Sequence, residues 1–115
     1  MKKLSRALTI LFLATGLLYA HHGWTGYDET KPLNFTGVIK DSGYENPHGF
    51  VNLEVNKQIW HVVLAPPSRM ETRGLPKEKL KIGTTATVVG YQNKEVKDEL
   101  RAERITIEGK TTELR

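Results

Sequence analysis

The 115-residue chain carries 17 Lys and Arg against 13 Asp and Glu, no cysteine, and 38% hydrophobic residues. That length fits one small domain and argues against a multidomain enzyme. Lys2, Lys3 and Arg6 fall in the first six positions, and without them the basic and acidic counts differ by one. The formal charge of +4 is therefore weak support for a polyanion, and nucleic acid is not expected as a partner.

Residues 1–20 (MKKLSRALTILFLATGLLYA) have a positive start, an apolar stretch over 7–18, and a short end at Tyr19-Ala20. That is the build of a secretory signal peptide. An apolar run of this length falls short of the roughly 20 residues that span a bilayer as a helix. Leu18 and Ala20 occupy the −3 and −1 positions of the expected cut, and no Cys follows to take a lipid anchor. The expectation is a periplasmic protein with no membrane association once the leader is cleaved. Residues 21–115 then form one domain that folds on its core alone, without a disulfide.

Five stretches of that domain read as strands. Residues 33–40 (LNFTGVIK) are rich in β-branched and aromatic side chains, and 49–55 (GFVNLEV) alternate, with Val51, Leu53 and Val55 on one face. Residues 58–64 (QIWHVVL) are almost wholly apolar, and Asn56-Lys57 connects them to the preceding strand as a tight hairpin. Residues 65–74 (APPSRMETRG) predict one short helix, with a capping box of Ser68 and Glu71 and a close at Gly74. A polar connection with a turn over 76–80 leads to a fourth strand at 84–91. Residues 92–100 read as a charged turn or hairpin tip, and 101–107 (RAERITI) as the fifth strand. Arg101, Glu103 and Arg104 are expected on its exposed face, followed by a turn over 108–110 and a short tail. Three strands, a helix and two strands is the order of the OB-fold. The expected fold class is all-β, a small five-stranded OB-like barrel with one short helix, and an open sandwich is the competing architecture.

All four histidines, His21, His22, His48 and His61, lie after the leader. Cleavage after Ala20 makes His21 the N-terminal residue, so its α-amine and ring Nδ1 can chelate one metal ion. A second imidazole completes a T-shaped three-nitrogen site, which suits Cu(II) better than harder ions. The α-amine, with an ordinary pKa of about 8, can lose its proton to a metal near neutrality. His48, in the turn Glu45-Asn46-Pro47-His48-Gly49, is the candidate for the remote ligand, and His22 for a third. His61, inside an apolar strand, reads as a half-buried histidine bonded to a neighbour. Asp28 is a candidate to orient a ligating imidazole, and Tyr27 to sit near the metal or pack at the barrel mouth. Trp24 reads as an aromatic plug for one barrel end. Arg69 and Arg73 share a helix face, where they hold an anion or are simply solvated. The chain has no phosphate-binding glycine loop, GxSxG elbow, CxxC pair or HExxH motif.

HHGWTGYD after a leader, NPHG after the first strand, LAPPSRMETRG and RAERITIEGK together resemble a family of small exported bacterial proteins, domain of unknown function 6152. The resemblance implies export and a small β-rich domain without an established activity. It carries over His21, His22, Asn46, Pro47 and His48 as motif positions, and Arg73-Gly74 as the close of the helical segment. Asn46 and Arg73 join the candidate pocket residues on that basis.

Two functions are open at this level. The first is a copper-binding carrier, buffer or sensor built on His21, His22 and His48. The second is a non-catalytic module whose barrel face takes a peptide, a glycan or a periplasmic protein. A copper oxidase ranks last, because so short a chain leaves little room for a substrate cleft.

Overall fold

The computed structural model describes residues 23–115, so the leader, its cut site, His21 and His22 lie outside the described residues. Alternating residues form β1 (Leu33–Gly43) and β2 (Phe50–Val55), and the mostly apolar run forms β3 (Gln58–Val63). A short helix α1 (Pro67–Thr72) and a 3-10 turn (Lys77–Lys79) follow, then β4 (Thr85–Gln92), β5 (Glu99–Ile107) and β6 (Lys110–Glu113).

β1 serves two neighbours. Leu33 to Val38 pair antiparallel with β4, and from Val38 onward the strand pairs with β2, across a register shift at Lys40. β2 pairs with β3 and β4 with β5, both antiparallel. A parallel seam of β3 and β5 closes the ring, with His61, Val62 and Val63 opposite Glu99, Leu100 and Arg101. The result is a closed five-stranded, OB-like barrel, as the order of elements predicted. Closure leaves the ring itself without a free edge.

β5 carries the local feature that most affects function. Leu100, Ala102, Ile105 and Ile107 are all buried, although a regular strand cannot point both 102 and 105 inward. The pairing slips between Val89 and Gly90, so one extra residue is accommodated in the Ala102–Arg104 stretch. The bulge restores the inward phase for Ile105 and Ile107.

Several expectations need correction. The tail after residue 110 is a sixth strand, turned by Glu108 and Gly109 at φ 52° and 77°. Its Thr112 and, just beyond it, Leu114 are buried. α1 has no capping box: Pro66 precedes it with no side-chain cap, and Pro67 sets its first turn. Its close does fall at Gly74, where φ is +86° and the backbone N–H of Leu75 reaches the Met70 carbonyl at 2.8 Å. Trp24 is no barrel plug; the core is filled by aliphatic side chains with Trp60 and the fully buried Met70. The Asn56-Lys57 hairpin is as expected, with both residues at positive φ, 50° and 67°.

Candidate functional site

Three segments meet at one mouth of the barrel: the chain from Gly23 to Asp28, the β1–β2 loop over 44–49, and the start of β5. The loop ends in a cis Asn46–Pro47 peptide and then His48. Gly49 anchors it, donating to the Ala65 carbonyl at 2.9 Å and accepting from Leu64 N–H at 2.8 Å. Those bonds fix His48 beside the end of β3, and the parallel seam sets Arg101 of β5 next to Val63.

Arg101 is the hub. One terminal nitrogen, Nη2, lies 3.3 Å from His48 Nε2. The other, Nη1, donates to the Gly23 carbonyl. The guanidinium carbon stands 4.2 Å from the centre of the Trp24 ring and 6.0 Å from that of Tyr27. Because Arg can only donate, His48 Nε2 accepts and its proton sits on Nδ1. Burial, and then the charges of Arg101 and Arg69, push the His48 pKa below its ordinary 6.5. His48 is thus held as a neutral imidazole, the form that binds metal.

The entering chain is stitched to the β4–β5 connection. Tyr27 bridges Asn93 in the manner of a short strand, Asp28 N–H donates to Gln92 at 2.9 Å, and Lys94 N–H donates to Gly26 at 2.9 Å. The Tyr27 hydroxyl donates to Glu99 at 2.6 Å, and Asn93 donates to the same carboxylate oxygen at 2.9 Å. Between these walls lies a cleft of about 840 Å³, lined by Gly23, Tyr27, His48, Lys94, Glu95 and Arg101 among others. In OB-folds the β1–β2 and β4–β5 loops flank the usual ligand site, and His48 and Lys94 stand on those two loops.

The Tyr27 pKa is pushed up to about 12, first by burial and then by its bond to Glu99. The folded protein therefore keeps this proton where the unfolded chain, at the ordinary value of 10.0, releases it. Stability is intact below pH 10 and is expected to fall as pH rises toward 12. A series of urea melts should show this decline, and Tyr27→Phe should flatten it. An unchanged slope in the variant would remove Tyr27 as the cause.

A family model, described as a family of unknown function (DUF6152), matches residues 10–101. The chain belongs to that family. The DUF6152 match takes in His48 and the cleft and stops at Arg101, so most of β5 and all of β6 lie beyond it. No curated protein matches the sequence. Among solved structures, the complex of TiaS with a tRNA and ATP is similar at TM-score 0.52 and 19% identity, over 76% of this chain and 19% of that one. The S. pombe Stn1–Ten1 complex is similar at TM-score 0.53 and 14% identity, over 66% and 57%. These likenesses concern the fold alone, and the chain spans less than two thirds of either protein's length.

The remaining candidates disperse. Asp28 accepts from the Thr30 backbone N–H at 3.1 Å and from its hydroxyl, an Asx-type turn at the surface. Asn46 is exposed on the His48 loop. Arg73 donates to the Glu113 and Arg115 carbonyls at 2.8 and 3.1 Å. Arg69 donates to the Leu114 carbonyl at 3.0 Å. This pair is exposed, as a solvated face requires, and it also clamps the C-terminal segment. His61 is half-buried, with Nδ1 2.9 Å from Asn52 Oδ1, as expected. Sequence reasoning missed Arg101, Lys94 and Glu99. Arg101, expected on an exposed strand face, is half-buried at the cleft; the one trace of this in the sequence is the broken alternation of LRAERITI, which fits the bulge beside it.

Proposed function

We propose that the protein is an exported, periplasmic copper-binding protein, a carrier, buffer or sensor. The new N-terminus at His21 supplies its α-amine and ring Nδ1, His48 supplies the opposing imidazole, and His22 assists. The observation that carries this reading is the shared guanidinium: Arg101 touches both the Gly23 carbonyl and His48 Nε2. Two residues of extended chain span at most about 7 Å, a length that would let a new N-terminus at His21 approach His48 from Gly23. Among the described residues no three of His, Asp or Glu cluster as a metal group. The site therefore needs residues ahead of Gly23.

Arg101 holds the lone pair that copper would use. Copper held by His48 Nε2 would need the guanidinium to turn away from that nitrogen, and the Trp24 face would still support its charge. No nucleic acid or membrane partner enters this reading. The alternative, a non-catalytic module for a peptide, glycan or protein partner, draws support from a cleft roomier than a bare ion needs.

Cu(II) titration monitored by EPR tests the proposal on protein that begins at His21. A nitrogen-rich tetragonal spectrum is expected, with affinity reduced at least about tenfold by one Ala added before His21 or by His48→Ala. Weak binding that ignores both changes would sink the copper reading.

A further inference from the structure

We infer that the cleft beside His48 takes a small organic carboxylate, held by Arg101 and Lys94. The inference goes beyond copper binding and does not depend on it. Arg101 is half-buried, and among the described residues it forms no ion pair with any carboxylate. A second cation shares its aromatic support, the Arg115 guanidinium carbon standing 4.3 Å from the centre of the Trp24 ring. A guanidinium offers five N–H donors. The Gly23 carbonyl and His48 occupy two of its nitrogens, and the buried Nε has no partner among the described residues.

A half-buried cation without an anion is costly. Here the Trp24 face and the Gly23 carbonyl offset part of that cost, and neither supplies a negative charge. Two of the acids close by are engaged, Glu99 by Tyr27 and Asn93, and Glu103 by Tyr91 and Arg115; Glu95 also lines the cleft, exposed on the β4–β5 loop, and forms no ion pair with Arg101 among the described residues. Lys94 lines the same cleft, on the β4–β5 loop, with its side chain exposed. A planar carboxylate matches the fork of a guanidinium with two parallel hydrogen bonds, which a spherical anion cannot. The cleft is open to solvent and, at about 840 Å³, has room for a small organic acid.

The test uses metal-free protein, so failure here leaves the copper experiment standing, and the reverse. Acetate and citrate are titrated against the Arg101 Nε–H, His48 and Trp24 indole signals by NMR, with phosphate and chloride in parallel. Saturable shifts with the carboxylates are expected at these three residues. Lys94→Met, an exposed loop change that leaves folding intact, should weaken binding about three- to tenfold. Arg101→Met should abolish it, with unchanged core methyl signals reporting that the barrel is folded. Shifts that rise linearly with salt, equal or tighter binding of phosphate, or indifference to Lys94→Met would each overturn the assignment.

Discussion

Gly90→Ala is expected to destabilise the protein by about 3 kcal/mol, and Gly90→Val by more. A Cβ at residue 90 would stand 2.1 Å from the Arg101 carbonyl oxygen and 2.8 Å from the Ala102 Cα. Both obstacles are backbone, so no side-chain rotation relieves them. The close approach arises because Gly90 pairs with Ala102 at the register slip, where β5 presses an extra residue toward β4. Urea melts of Gly90→Ala and Gly26→Ala make the comparison, since a Cβ on Gly26 meets nothing within 4 Å. Gly26→Ala should stay within about 0.5 kcal/mol of the parent. Equal midpoints for the two variants would refute the close approach. Because the obstructing carbonyl is that of Arg101, surviving Gly90→Ala protein should also show altered His48 signals.

Leu100→Ala should cost about 2–5 kcal/mol, through lost burial and the cavity left behind. Leu100 is 0% exposed and sits where three strands meet, opposite Val62 across the parallel seam and Gln92 across the antiparallel one. Neighbours on both sides are held by backbone pairing, so the space cannot collapse easily. A small domain has about 5–15 kcal/mol of stability in all, and this loss should lower the thermal midpoint by at least about 8 °C. Val96→Ala, at a site 48% exposed in the β4–β5 loop, serves as the reference and should change little. A Leu100→Ala midpoint near that reference would mean the seam is looser than its burial implies.

The barrel was readable because its strands advertise themselves. Alternation over 50–55, the apolar run at 58–64 and the proline-led helix each settle one local conformation, and their order leaves few topologies. The unreadable parts are those where distant pairing overrides local preference. Asp41, Ser42 and Gly43 are turn formers, yet they extend β1 because β2 offers partners beyond the Lys40 shift. Lys110 to Glu113 is polar and short, and becomes a strand only because β5 lies beside it. At the site, His48 was visible by residue type and turn context. Arg101 was hidden, since one arginine on a strand resembles any exposed arginine until a parallel partner and an N-terminal carbonyl define its surroundings. Asp28 and Arg73 were misleading for the opposite reason: each has a nearer backbone group to satisfy than the pocket to which it was assigned.

The parallel seam between β3 and β5 also bears on how quickly the molecule assembles. Hairpins β2–β3 and β5–β6 close over two-residue turns, whereas His61 must find Glu99 across the whole helix, β4 and its loop. Contacts of such separation are paid for in chain entropy before they return any stabilisation, so they come late in folding and set its pace. The cleft takes one wall from each side of this seam, His48 beside β3 and Arg101 on β5. Its arrangement is accordingly among the last things the chain acquires, and exists only once the ring has shut.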